Sequence, residues 1–180
     1  MLNIARRELH FFFSNPIGYL VLGGYLLIST LLLWVFDTPF NILNIGFVSF
    51  STFFELSTWL FLLLIPALSM RSFSEERTTG TFELLMTKPL NAIDIYYGKL
   101  LGITAVFFII LFPTISNIFV INNLLTPDSF LDWGGIVGSY IGLIGVGFLF
   151  LALSLCSSLL IKNQIASFLV AVLACFIQFY

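Results

Sequence analysis

Charged side chains are missing from long stretches of this chain, and Leu, Ile, Phe, Val and Gly fill the gaps. Residues 17–36 hold no charge at all, and residues 45–70 are interrupted only by Glu55. Further apolar runs cover 95–121, with Lys99 near its start, and 135–161. A last run begins at 165 and continues to 180. A helix needs about 20 apolar residues to cross the hydrocarbon core of a bilayer. The pattern therefore predicts an all-α, polytopic transmembrane bundle with five visible spans, forming a single domain over 1–180. The last run is short and no polar anchor follows it, so a sixth span in a longer protein is expected.

The polar residues between the runs carry helix signals. Asn15-Pro16 opens the first span, because Asn caps free N–H groups and Pro fits a first helical turn. Asn91 and Asp94 open the third span in the same manner, with the acid near the positive helix end. Residues 1–15 mix Leu2, Ile4, Ala5, Leu9 and Phe11 to Phe13 with Arg6, Arg7, Glu8 and His10. That mixture suits a helix lying in the interface before the chain turns into the membrane.

Composition agrees with this architecture and narrows it. The chain is 59% hydrophobic and only 9% charged, against about a quarter charged in soluble domains. A net charge of −2 gives no footprint for a nucleic-acid partner. The basic residues fall in every second connection, which puts them on one side of the spans. Arg6 and Arg7 precede the first, Arg71, Arg77, Lys88 and Lys99 flank the loop after the second, and Lys162 separates the last two. Asp37, Asp128 and Asp132 occupy the other two loops. Because basic loops stay in the cytoplasm, the N-terminus and the loop 71–94 are expected there.

That loop is the one long polar stretch. Ser72 and Glu75 have capping-box spacing, so a helix is expected to start at Ser72. Gly80 then weakens helix continuity by about 1 kcal/mol relative to Ala. A short apolar knob follows, with Phe82, Leu84, Leu85 and Met86, and Lys88-Pro89 ends it. The knob needs a surface to bury against. The headgroup layer and a groove on a soluble partner both qualify, with Glu75, Glu76 and Arg77 at the rim; a loop folded back without further role also fits.

The motif Arg71-x-Phe73-x-Glu75-Glu76-Arg77-x-x-Gly80-Thr81-x-Glu83-Leu84-Leu85, followed by Pro89 and by Gly98-Lys99, resembles the corresponding loop of type-2 ABC-transporter permeases, the ABC-2 group. Within that group it is most similar to gliding-motility-associated permease subunits of the GldF type. The resemblance implies a bacterial inner-membrane permease, an exporter driven by a separate cytoplasmic ABC ATPase that binds ATP and Mg. It implies no cofactor on this chain and a second permease subunit, identical or different. It also casts Arg71, Phe73, Glu75, Glu76, Arg77, Gly80, Thr81, Phe82, Glu83, Leu84 and Leu85 as a coupling helix facing that ATPase. The rival from another class is a non-transporting scaffold that anchors an envelope or motility complex.

The remaining residues change this picture little. The chain carries no Gly-x-x-x-x-Gly-Lys-Ser/Thr phosphate loop and a single histidine, so neither ATP hydrolysis nor a catalytic triad has its parts here. Glu55 is a candidate outer gate or an interfacial acid reaching water. Pro113 falls mid-span, where a kink would serve movement. Gly134, Gly138 and Gly142 repeat at four-residue spacing, which suits close packing inside the bundle or a dimer seam. Asp37, Asp128 and Asp132 read as solvated loop acids, and Cys156 and Cys175 as small packing residues.

Overall fold

The computed structural model describes residues 2–42, 51–78, 80, 92–124 and 132–179. Among them every regular element is helical: α1 Leu2–Ser14, α2 Pro16–Trp34, α3 Ser51–Thr78, α4 Ala92–Leu111, a 3-10 turn Phe112–Ile115, α5 Ser116–Leu124, α6 Trp133–Leu160 and α7 Gln164–Phe179. Three stretches are long and apolar enough to cross a bilayer, namely Ser51–Thr78, Ile93–Asn123 and Trp133–Leu160. The pair α1 and α2 reaches that standard only when taken together, and it is bent by 72°. Gln164–Phe179 is a shorter apolar helix.

α3 is the centre of the bundle, flanked by α6 and α7 on one side and by α2 and α4 on the other. Its aromatic side chains fix the neighbours. Phe61 meets Phe107 of α4 edge-on at 5.2 Å and Tyr25 of α2 at 5.6 Å. Phe107 in turn presses against α6, where a Cβ on Gly147 would lie 2.3 Å from the ring, so only glycine admits it. At the other end of the bundle Leu33, Ile42, Phe53, Ile121 and Ile136 form a second apolar cluster.

Beside its apolar core the bundle buries an unusual number of small hydroxyl residues and exposes large apolar ones. Ser57, Ser69, Ser74, Ser154, Ser158 and Ser167 are fully buried, while Leu20, Phe112, Leu160 and Ile177 stand on the surface. In a hydrocarbon solvent apolar burial gains nothing, and small hydroxyl residues hold helices together by close packing and hydrogen bonds. α6 and α7 show this directly: Ser157 Oγ donates to the Ser167 carbonyl at 3.0 Å.

Several expectations are revised. No helix begins at Ser72; α3 continues through it to Thr78. The Ser-x-x-Glu spacing caps a helix only where the preceding residues leave helical geometry, and here Leu68 and Phe73 bury and hold that turn in register. The polar connection is accordingly shorter than 71–94. Asp132 is no idle loop acid: it caps α6, its carboxylate accepting from the Gly135 N–H at 3.0 Å. Among the described residues Gly138 and Gly142 pack against nothing, since a Cβ on either meets none of their atoms within 4 Å. Gly134 sits beside the Asp132 cap. Pro113 does interrupt its span, which passes from α-helix into the 3-10 turn there, and the hydroxyls of Thr114 and Ser116 donate to the carbonyls of Leu111 and Pro113 at 2.6 and 2.7 Å.

Candidate functional site

α1 lies along the start of α4 because Gly102 leaves room for it. A Cβ at Gly102 would stand 2.7 Å from the Glu8 Cβ. This approach delivers Arg7 and Glu8 to the end of α3, where four charges form a knot. Lys99 Nζ lies 3.0 Å from Glu8 Oε1 and 2.9 Å from Glu76 Oε2, the second a charge contact bent away from hydrogen-bond geometry. Arg7 closes the ring from outside, 2.6 Å from Glu76 Oε1 and 3.6 Å from Glu8. The Lys99 side chain is 1% exposed, against 49% for Arg7. A buried ammonium is tolerated only when paired and hydrogen-bonded. Here it also donates to the Ser72 carbonyl and sits 4.7 Å above the Phe73 ring. Phe73 stacks on Tyr96 one turn before Lys99.

α6 grips the same turn of α3 from the opposite side. Ser158 Oγ accepts from the Phe73 and Ser74 N–H groups at 3.1 and 3.3 Å and donates to the Met70 carbonyl at 3.1 Å. Ser74 Oγ donates to the Ile161 carbonyl at 2.8 Å. The segment 70–76 of α3 is therefore held by Lys99 on one face and Ser158 on the other.

A cavity of about 440 Å³ opens beside the knot, between α1, α2, α3 and α4. Its floor is apolar, with Phe12, Val21, Leu68, Ile103 and Val106, and its rim carries Arg7, Arg71, Glu75 and Glu76. Arg71 makes no hydrogen bond or ion pair among the described residues, and its Nε is buried. Among the described residues no group of three or more His, Cys, Asp or Glu could hold a metal ion.

The predicted coupling residues thus divide. Phe73 and Glu76 face inward, Arg71 and Glu75 line the cavity, and Arg77 sits on the last turn of α3. Gly80 is exposed and adopts φ +72°, a left-handed conformation that glycine takes readily. Thr81, Phe82, Glu83, Leu84 and Leu85 lie outside the described residues, as does Asp128. Glu55 is exposed on α3 at the far end of the bundle, near Asp37 and Asp132, while Arg6, Arg7, Arg71, Arg77, Lys99 and Lys162 gather at the knot end. The His10 ring nitrogen Nδ1 lies 2.9 Å from the Ser14 hydroxyl, one turn along α1.

Sequence reasoning missed Glu8, Lys99 and Ser158 as site residues. Two signals for them exist. A lysine flanked by Gly98 and Gly102 marks a helix face that another backbone approaches, and Ser154, Ser157 and Ser158 put three hydroxyls on one face of an apolar span.

The profile of the family described as ABC-2 family transporter protein matches residues 35–180. Comparison with curated proteins and with solved structures returned no match.

Proposed function

The chain belongs to the ABC-2 transporter family, and on that premise we propose that it is the permease subunit of an exporter driven by a separate cytoplasmic ATPase. The observation that carries this reading is the Lys99 bridge. Lys99 lies two turns into α4, which begins at Ala92, and Glu76 lies in the last turn of α3, which ends at Thr78, so the bridge joins the two helices on either side of residues 79–91. Lys99 pairs with Glu8 on α1, and Glu76 pairs with Arg7 on the same helix. A displacement passed to the end of α3 is carried to α1 through Lys99 and Glu8 and to α6 through Ser158. An ATPase that binds and hydrolyses MgATP and pushes on the apolar segment around Leu85 would therefore move the bundle as a unit, with Gly80 as the pivot. The segregation of Arg and Lys to the knot end supports a cytoplasmic placement of that end in the bacterial inner membrane.

Two such subunits, identical or different, would enclose the path. The narrower assignment, a gliding-motility-associated permease of the GldF type, is supported by the Arg71-to-Leu85 motif.

The test separates docking from folding. Leu85→Asp is expected to abolish copurification of the ATPase while membrane insertion and detergent stability stay normal. Retained association would remove the coupling role of this segment. A cysteine placed at Gly80 should react with impermeant maleimide only from the cytosolic side, and reaction only from outside would reverse the orientation.

A further inference from the structure

We infer that the cavity between α1, α2, α3 and α4 seats a single-chain fatty acid, its carboxyl group on Arg71 and Ser72 and its chain on the apolar floor. The site is independent of the coupling role proposed above. It requires only a membrane location, from which such an amphiphile partitions.

The cavity is walled by tight contacts rather than by loose packing. A Cβ at Gly18 would stand 2.2 Å from the Phe12 carbonyl oxygen, and one at Gly102 would stand 2.7 Å from the Glu8 Cβ. α1 is thus drawn close to α2 at its end and to α4 beside Glu8, yet about 440 Å³ stays open between the helices. Voids much larger than a water are few in packed interiors, because their lining loses dispersion contacts. In a chain bathed in lipid, an apolar molecule of matching size recovers them.

Two polar groups on one turn of α3 define the head of that molecule. Arg71 Nε and Ser72 Oγ are both buried, and neither has a hydrogen-bond partner among the described residues. Ser72 is only 6% exposed, and both residues line the cavity. A guanidinium and a hydroxyl both donate to an acceptor, and a carboxylate takes the arginine fork in bidentate geometry. Arg7 is already engaged by Glu76 at 2.6 Å. Glu75 and Glu76 line the same cavity and have partners of their own. A carboxyl head does not depend on the sum of the charges around it. Where like charges press on it, its pKa rises, and the neutral acid still offers Arg71 a carbonyl oxygen. A phosphodiester has no such neutral form near neutral pH.

Polarity and volume fix the chain. With distance from the knot end the lining turns apolar on three helices in step: Leu68 and Ala67 on α3, Ile103 and Val106 on α4, and Val21 on α2. A head at Arg71 therefore sends its chain into the bundle. A liquid water occupies about 30 Å³ and a methylene group is of similar size, so the cavity holds on the order of 15 such groups. That is a carboxyl group with a chain of about 12 carbons, whereas a two-chain phospholipid is more than twice as large.

The experiment uses the full chain in lipid nanodiscs, illuminated with dodecanoic acid that carries a diazirine in mid-chain. Peptide mass spectrometry reads where the label is. One label per chain is expected, on the floor around Leu68 and Val106; labelling elsewhere, or none, overturns the proposal. Four unlabelled competitors follow: dodecanoate, dodecanol, butyrate and a dodecanoyl lysophosphatidylglycerol. Dodecanoate is expected to displace the label ahead of the other three. Arg71→Gln should weaken binding by roughly ten- to hundredfold, the loss of a charge-assisted hydrogen bond, and Ser72→Ala by roughly two- to tenfold. Val21→Phe, which fills the floor from α2, should abolish labelling. An unfolding midpoint confirms that each variant is folded, and Arg71→Gln decides the matter if Val21→Phe unfolds, since Arg71 has no partner among the described residues to lose. Undiminished binding to Arg71→Gln overturns the proposal. Equal competition by dodecanol shows an apolar groove without carboxyl recognition, and equal competition by butyrate shows a free-anion site. Equal or stronger competition by the lysolipid shows a phosphate-headed occupant. Each of these three results overturns the fatty-acid assignment.

Discussion

Lys99 and Glu8 stand 91 positions apart in the chain, yet their Nζ and Oε1 atoms are 3.0 Å apart, with the ammonium almost wholly shielded from solvent. The contact joins a helix that precedes the spans to the helix that follows the polar connection, so neither can move alone. Its partners make it expensive to break. Without the ammonium, Glu8 and Glu76 would lose the buried cation they share.

Lys99→Met is therefore expected to destabilise the chain by about 3–5 kcal/mol, the range for orphaning one side of a buried ion pair. The triple variant Lys99→Met, Glu8→Gln, Glu76→Gln should recover most of that loss, because it removes the charges together. Unfolding in mixed detergent micelles measures both. A triple variant no better than the single one would show that the knot acts by packing rather than by charge.

The Ser158 hydroxyl reaches three backbone groups of α3 at once. Ser158→Ala leaves those groups only their own helix as partner. Interhelical hydrogen bonds in membranes contribute roughly 0.6 kcal/mol on average and up to about 1.7, and the three contacts place this one near the upper end. The same unfolding assay, with Ser157→Ala as a comparison on the neighbouring α7 contact, reads the difference.

The long apolar helices were legible because bilayer solvation imposes a length and a composition on a crossing segment: the runs at 95–121 and 135–161 fall on Ile93–Asn123 and Trp133–Leu160, whereas Gln164–Phe179 is shorter and α2 reaches the crossing standard only together with α1. The end of α3 was not. Arg71, Glu75, Glu76 and Arg77 are as polar as any loop, and nothing local distinguishes a solvated acid from Glu76, whose partners are residues 69 and 23 positions away. The capping-box spacing at Ser72 misled for the same reason: it is a local signal, and the buried Phe73 and the clasp by Ser158 are tertiary. The motif in the sequence was visible as a motif, but its inward-facing half acts through contacts that only the fold assembles.

Gly138 and Gly142 present open backbone on α6. Gly142→Leu is expected to leave the unfolding midpoint of the isolated chain within about 0.5 kcal/mol of the original, as for a surface change without partners. If this stripe seats the second permease subunit, the same variant lowers the yield of a cysteine cross-link across it. A large loss of chain stability would instead show packing within one subunit.

Gly80 allows the proposed transmission to be tested apart from folding. Its φ of +72° is a conformation that non-glycine residues pay roughly 1–2 kcal/mol to adopt, more when β-branched. Among the described residues a side chain there meets no atom within 4 Å, so the cost they impose is backbone strain. Gly80→Val should shift the unfolding midpoint little, because the strain is relieved by rearranging the exposed end of α3 rather than the knot. The relieved geometry would re-aim the segment that follows, and stimulation of the ATPase by the reconstituted permease should fall several-fold. Gly80→Ala, which carries less strain, should fall between the two. Normal stimulation by Gly80→Val, with the protein folded and inserted, would mean that the pivot lies elsewhere and that the connection moves without bending at this residue.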